Sequence, residues 1–441
     1  MKYVAVLFLL CTALQVSAQS PTVDAVLQKE YPSLEALYKE LHQNPELSYY
    51  EVKTSARIAD ELQKLGFEVA RDFGRYQNPK LTAHGVVAVM RNGAGPVVLV
   101  RTDMDALPVE ERTQLPYASA AVGKNDAGEE VRVMHACGHD LHMTVFVGVA
   151  RALSAMRDRW KGTLIMIGQP AEERGPGGAE ALLNGGLYTK FPKPDYCLAL
   201  HDNAGLEAGK VGWVEGYMMS AGDAPDIVIH GAGGHGAYPE ATRDPVVMAA
   251  EVVLALQSIV AREIQPGKPA VITVGSLHAG TKRNIIPDEA RLSLTVRSYE
   301  PAVREKLLSA IQRIAKGVAE AHGGTADVDL RPEEYFPAMF NNPELVKKTV
   351  PALQAAIGAE NVVQVSPVMV SEDFSRYGLE DHSVPSFLFW LGAVDPAKAA
   401  DSRKNGTQLP SLHSSLFAPL PEPAIKTGVK AMTAAVLNLM K

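Results

Sequence analysis

Thr163-Leu-Ile-Met-Ile-Gly168-Gln169-Pro170-Ala171-Glu172-Glu173 is an unbroken apolar run that stops in a pair of carboxylates. Six residues without a polar break, closed by Gly and Pro, suit a strand covered on both faces better than a helix. Upstream lie Val86-Val-Ala-Val-Met90 and Val97-Val-Leu-Val-Arg101, parted by the turn Arg91-Asn-Gly-Ala-Gly-Pro96. Downstream, Tyr196-Cys-Leu-Ala-Leu200 is a further short apolar run that ends at once in His201. Helical spacing fills the gaps, over Leu141 to Met156 and over Gly178 to Asn184, the latter closed by Gly185-Gly186. Alternating strands and helices predict a parallel sheet with both faces covered, and such sheets bind ligands at the carboxyl ends of their strands. Asp103, Asp105, Glu172, Glu173 and His201 all fall just after a strand, so they converge on one edge.

The chain has 441 residues, which predicts two domains. A formal charge of -7 and the absence of any Lys/Arg-rich run exclude nucleic acid as a partner. Lys2, the apolar stretch from Val4 to about Leu14 and Val16-Ser17-Ala18 read as a secretory signal peptide, residues 1–18. The expected location is therefore periplasmic or secreted, with no membrane contact after cleavage; an uncleaved anchor or lipidation of Cys11 are the rival readings. Cys137 and Cys197 remain, and an oxidising compartment would permit a disulfide between them. Cys197 sits inside an apolar strand, which favours an inert core thiol there and a ligand role for Cys137.

The N-terminal part predicts helices over Thr22 to Glu40 and Glu51 to Leu65, with His42 and Glu46 in a loop that fixes the entry to the second. From Asp226 the order changes. Strands at Asp226 to Gly231, Ala270 to Gly275, Ala290 to Arg297 and Thr325 to Leu330 surround helices at Asp244 to Val260 and Val303 to His322. The order β-α-β-β-α-β is that of a ferredoxin-like unit, inserted between about Gly216 and Arg331. Helix Glu344 to Ile357, strand Pro385 to Leu391 and helix Ala424 to Leu439 are expected to complete the first sheet.

Met134-His-Ala-Cys-Gly-His-Asp-Leu-His142 gathers three imidazoles, a thiol and a carboxylate. Cys137-x-His139 has donors suited to zinc and its neighbours, although a nucleophilic thiol at a helix start and a helix-capping cluster are alternatives. Adjacent Glu172 and Glu173 would divide into a general base and a ligand. His201, at a strand end, and His413, in the polar island Leu412-His-Ser-Ser-Leu-Phe417, are further donors. Asp103 and Asp105 suit acceptance of the second N–H of a metal-bound His. His235, on the glycine-rich turn Gly231 to Pro239, suits an oxyanion. Arg283 and Asn284 suit a substrate carboxylate or are simply part of a hairpin loop.

Asp103-Met-Asp-Ala-Leu-Pro108, His135-Ala-Cys-Gly-His-Asp140, Gln169-Pro-Ala-Glu-Glu173, Gly234-His-Gly-Ala237, Asn284-Ile-Ile-Pro287, Ser371-Glu-Asp-Phe374 and Leu412-His-Ser414 together resemble the M20 metallopeptidase family, in its amidohydrolase branch of hippurate hydrolases, N-acyl-amino-acid amidohydrolases and auxin-conjugate hydrolases. The resemblance implies an α/β protein of two domains. A zinc-peptidase-like catalytic domain with a mixed sheet, residues 19–215 and 331–441, is interrupted by a ferredoxin-like lid or dimerisation domain, residues 216–330. It also implies two divalent metal ions, zinc before manganese or cobalt, on Cys137, His139, Glu173, His201 and His413, with Glu172 as base. The implied substrate is an N-acyl amino acid, and a metallo-dipeptidase or carboxypeptidase is the alternative. The implied assembly is a homo-oligomer through the lid, in which His235 serves its own or a neighbouring subunit. Relatives often carry His at the position of Glu240, which puts the lid side of the pocket in doubt. A cysteine hydrolase and a metal-dependent peptide-binding protein without turnover are the competing classes.

Overall fold

The computed structural model describes residues 21–125, 127–379 and 381–441, and the expected signal peptide lies outside them. The chain begins with α1 (Val23–Gln43), capped by the Thr22 hydroxyl on the Ala25 N–H at 3.2 Å, and α2 (Val52–Lys64). Glu46 accepts both the N–H and the hydroxyl of Thr54 at 2.8 Å, so this loop residue does fix the entry to α2. His42 differs from the expectation: it belongs to the last turn of α1 and is buried. Then follow β1 (Glu68–Phe73), β2 (Gly85–Asn92), β3 (Val97–Asp103), α3 (His139–Ala155), β4 (Gly162–Gln169), α4 (Gly178–Asn184), β5 (Tyr196–Glu207) and β6 (Val211–Trp213).

A second sheet comes next, from β7 (Ala221–Asp223), β8 (Asp226–His230), α5 (Pro245–Ser258), β9 (Ala270–Ala279), β10 (Glu289–Ser298), α6 (Pro301–Ala321) and β11 (Thr325–Asp329). The chain then returns through α7 (Pro343–Ile357), β12 (Val362–Gln364), β13 (Ser386–Val394) and α8 (Pro421–Leu439).

The large sheet has the order β1-β2-β4-β3-β5-β13-β6-β12. Its middle, β4-β3-β5-β13, is parallel. Its flanks are not, because β2 runs against β4, β1 against β2 and β6 against β13. The parallel sheet read from the strand pattern holds for the middle only, and the sheet as a whole is mixed, as the resemblance implied. The link 93–96 is too short for a crossover, so β2 and β3 must oppose one another, and β4 then enters between them. Side chains alternate as a strand demands. Val98, Val100, Leu164, Met166, Leu198 and Leu200 join the core under α1, α3, α7 and α8. Leu99, Ile165, Ile167, Cys197 and Ala199 face the opposite layer with Phe374 and Tyr377. β5 does not end before His201 but continues to Glu207 alongside β13, with His201 level with Trp390.

The small sheet is antiparallel, in the order β9-β10-β8-β11, with β7 following β8 along the same edge of β10. β10 alternates strictly: Ala290, Leu292, Leu294 and Val296 are buried against Met248, Val252 and Leu307 of the two helices. Asp244 caps α5 by accepting the Val246 N–H at 2.8 Å. The chain crosses between the sheets through residues 214–222 and 331–341. Gly222 and Phe336 join these crossings by reciprocal backbone hydrogen bonds of 2.9 and 3.0 Å.

Candidate active site

The turn after β4 is built by carboxylates. Ala171 has a left-handed φ of 46°, a conformation that costs a non-glycine residue ~1–3 kcal/mol unless its surroundings impose it. Here they do. The Ala171 N–H donates to Glu51 Oε1 at 2.7 Å, and the Glu172 and Glu173 N–H groups donate to the two oxygens of Asp105 at 3.0 Å. Ser48 donates to the same Asp105 carboxylate at 2.6 Å. Three successive amides are therefore held, and Glu172 and Glu173 project from a fixed backbone. Glu51 is fully buried, and burial followed by the nearby Asp105 charge pushes its carboxyl well above the usual range.

Gly138, at φ 74°, starts α3, and a Cβ there would overlap the Asp202 carboxylate. This turn delivers Cys137 and His139 to the same edge. His139 Nδ1 lies 2.8 Å from the Asp105 carbonyl and His201 Nδ1 2.8 Å from the Asp202 carbonyl. Those bonds assign the proton to Nδ1 in both rings and leave both Nε2 atoms bare. His201 Nε2 lies 3.6 Å from Cys137 Sγ. His413, at φ 65°, is pinned by its N–H on the Ala136 carbonyl at 2.8 Å and brings Nε2 to 3.3 Å from Glu173 Oε1. Donor atoms of Cys137, His139 and His201 lie within 4.8 Å of one another, and so do those of Cys137, Glu173 and His413. The two triads share Cys137.

These residues suit cations. Among the described residues, His139 Nε2 is buried without a hydrogen-bond partner and Glu173 Oε1 has only the 3.3 Å approach of His413 Nε2, an arrangement that is costly unless something else satisfies them. Burial, then the facing Glu173 and Asp202 carboxylates, pushes the Cys137 thiol well up. Burial, then Glu372 and Glu173, does the same to Glu172. A divalent cation reverses both trends.

Asp105 does face His139 Nδ1, with its carboxylate at 3.4 Å, whereas Asp103 takes other partners than expected. The Asp103 carboxylate binds His142 at 2.8 Å and Arg101 at 2.7 Å, and it is the Asp105 carbonyl that receives His139. Asp140 binds His42 at 2.6 Å. His235, Arg283 and Asn284 are exposed at a separate two-stranded ribbon, Gly234–His235 with Ile285–Ile286, and line no part of the catalytic cavity. That cavity, about 520 Å³, lies between the sheets and is lined by Cys137, Glu172, Glu173, His201, Trp390 and His413 from one side. From the other side it is lined by Arg297, which the sequence reading missed. Burial lowers the pKa of this guanidinium, and it forms no salt bridge among the described residues. Ser371 Oγ, buried and unpartnered, adjoins it across Gly222, where a Cβ would collide with Arg297 and stand 2.6 Å from Ser371 Oγ. The strict alternation of β10 was the available signal, since it left Arg297 on the face away from the small core.

A mixed sheet whose parallel strand ends present thiolate, imidazole and carboxylate donors beside a free glutamate defines a hydrolase. Residues 99–416 match the signature of peptidase family M20/M25/M40. The chain is 36% identical over 394 residues to thermostable carboxypeptidase 2 of Saccharolobus solfataricus, covering 89% of this chain and 92% of that one. It is 35% identical over 353 residues to the hippurate hydrolase of Campylobacter jejuni, covering 80% and 85%. The solved structure of the Bacillus subtilis YxeP protein, a dinuclear metal-binding peptidase from the M20 family, superposes with a TM-score of 0.71 at 28% identity, covering 94% of this chain and 100% of that one. The chain belongs to peptidase family M20/M25/M40 and is an amide-bond hydrolase.

Proposed function

We propose that the chain hydrolyses N-acyl amino acids, with an aryl or other apolar acyl group, to a carboxylic acid and a free amino acid. The observation that carries this reading is the pair of donor triads sharing Cys137 beside the buried carboxyl of Glu172. Cys137, His139, Glu173, His201 and His413 would hold two divalent cations, zinc before manganese or cobalt because a thiolate is a soft donor. When bound, such ions polarise the scissile carbonyl and bring the pKa of water toward ~7. Glu172 accepts the proton of the attacking water and returns it to the leaving amine nitrogen. Arg297, with no salt bridge, and Ser371, with no hydrogen bond among the described residues, receive the free carboxylate of the amino acid. Trp390 and the apolar wall around Met219 leave room for the acyl group.

His235, Arg283 and Asn284 enter this reading through a second copy of the chain. Exposed Val246, Val247 and Leu254 on α5, and the edge of β9 left open among the described residues, favour a homo-oligomer formed by the small sheet. There His235 would steady the oxyanion of the neighbouring site, and Asn284 and Arg283 would reach its substrate carboxylate. Mixing two inactive variants, His235→Ala and Glu172→Gln, then restores activity, whereas a site contained in one chain stays dead. We place the protein in the periplasm or outside the cell on the strength of residues 1–18; a chain fractionating with the cytoplasm at full length overturns that placement.

The central test is a panel of N-acyl amino acids and dipeptides assayed on metal-reconstituted enzyme. Hippurate-type amides are expected to be turned over faster than dipeptides. The carboxypeptidase or dipeptidase reading, which the Saccharolobus relative favours, predicts the reverse order. Chelation is expected to abolish turnover and Zn, Mn or Co to restore it; activity that survives chelation but dies on thiol alkylation points to a cysteine hydrolase instead.

A further inference from the structure

A second cavity, of about 400 Å³, lies on the opposite side of the two crossings from the catalytic one. We propose that it is a ligand site for a small aromatic carboxylate, and that filling it shifts the crossings and so changes the width of the catalytic cleft.

The walls supply the aromatic half of the recognition. Tyr217 and Tyr299 stack with ring centroids 5.8 Å apart and planes 24° from parallel, and Tyr335 and His382 close the remaining sides. A flat ring enters such a space by offset stacking. The polar half comes from two consecutive residues. Ser375, which lines the cavity, is 8% exposed, and its Oγ has no hydrogen-bond partner. Nε of the neighbouring Arg376, another lining residue, is also buried and unpartnered. Buried donors without an acceptor are rare in folded proteins. Two of them on consecutive lining residues suit the two oxygens of one carboxylate, and the Arg376 guanidinium, whose Nη2 also binds the Tyr335 carbonyl and Glu180 at 3.1 Å, makes the contact charge-assisted. Among the described residues, the nearby carboxylates already have cations: Glu300 is paired with Lys268, and Glu180 with Arg376 at 3.1 Å.

The coupling is built into the backbone. Ala221 lines this cavity and its neighbour Gly222 the catalytic one; Tyr335 lines this cavity and Phe336 the other. The reciprocal Gly222–Phe336 hydrogen bonds are thus the partition between the two spaces. Arg304 lines this cavity and grips Asp223, which lines the catalytic one, at 2.6 and 3.0 Å. A ligand that displaces either crossing moves both walls, and its effect on the cleft equals its differential affinity for the two hinge positions.

The probe is benzoate, measured by equilibrium dialysis on the full-length, metal-loaded protein. Arg297→Ala removes the carboxylate contact of the catalytic cleft, and Ala338→Trp fills the second cavity. Saturable binding is expected in wild type and in Arg297→Ala, with at least about tenfold weakening in Ala338→Trp. The radius of gyration of Arg297→Ala, from small-angle scattering, is expected to change on adding benzoate, and that of Ala338→Trp to stay fixed. Binding that disappears in Arg297→Ala and persists in Ala338→Trp overturns the site, as does the absence of saturable binding in all three proteins. Binding in Arg297→Ala with no change in radius overturns the coupling. Should Ala338→Trp melt below wild type, Ser375→Ala decides: weakened benzoate binding supports the site, and unchanged binding overturns it. None of these readouts depends on which amide the enzyme cleaves.

Discussion

Glu172 and Glu173 are adjacent in the chain yet free to take the different roles proposed for them, because their amides, rather than their side chains, are what Asp105 holds. Glu172→Gln keeps the shape of the turn and removes the proton acceptor. It is expected to lower kcat by ~10²–10⁴-fold with full metal content, as read by elemental analysis; full activity with metal bound removes the base assignment. Glu51 acts one step further back. It holds the Ala171 N–H but touches no donor of the centre, so Glu51→Ala is expected to lower kcat about tenfold while KM barely moves. Glu51→Gln, which retains the acceptor oxygen, is expected to recover most of that loss. Gly138→Ala sets a methyl against Asp202 at a left-handed backbone position and should cost about 2 kcal/mol in chemical denaturation. At this scale the sequence was readable wherever a donor follows a strand or opens a helix, since position alone fixes the edge it reaches. Arg297 and Ser371 were not readable in this way. Their meeting depends on how the small sheet sits over the large one, which no local pattern encodes.

Between elements, charge does what apolar packing cannot. His42, at the end of α1, lies 2.6 Å from Asp140 on α3 and 3.1 Å from Glu111, with the Tyr38 and Tyr117 rings beside it. Burial works against its charged form, but the hydrogen bonds to Asp140 and Glu111 raise it to about 10. A folded pKa above the unfolded value of ~6.5 means that the stabilisation is complete below pH ~6.5 and fades as pH rises toward 10. His42→Gln leaves two buried carboxylates without a cation and is expected to cost about 3 kcal/mol at pH 6. Melting curves of the two proteins should converge between pH 7 and pH 10 (about the window set by the two pKa values), and a constant gap contradicts the assignment. Glu61 gives the opposite slope. Burial again opposes, yet Arg151 and Arg57 hold its carboxyl at about 2, so this junction of α2 with α3 weakens as pH falls from ~4.5 toward 2. The helices themselves were legible to within a few residues, because their apolar spacing and caps are local. Strand partners were not: β4 enters between β2 and β3, and nothing in either strand's sequence names its neighbour. The short strands β1, β6 and β12 went unread for the related reason that their pairing, not their composition, makes them strands.

For the molecule as a whole, the large sheet is assembled from both ends of the chain, and the small sheet interrupts it. The change from long apolar runs to alternating strands near Asp226 made that interruption visible in advance. The placement of the second cavity was invisible, because it needs both crossings at once. Cys137 and Cys197 are both free and buried, Cys137 lining the catalytic cavity and Cys197 packed in the core with Phe374 and Tyr377, so the disulfide that an oxidising compartment would permit is not formed. β5 and β6 are separated by a tight turn in sequence but by a whole strand in space, since β13 lies between them. A ribosome therefore releases β5 long before the partner that covers its edge. A fragment ending near residue 330 is expected to expose that edge and to form insoluble aggregates on expression; a soluble, cooperatively melting fragment would show that the first half closes by another route. The same delay falls on the proposed metal centre, because His413 emerges last of the five donors proposed for it. Until then the Cys137 thiol waits in an unfinished site, and the time needed to synthesise and dock the roughly 210 residues from His201 to His413, nearly half of the chain, is the interval during which an oxidant can reach it.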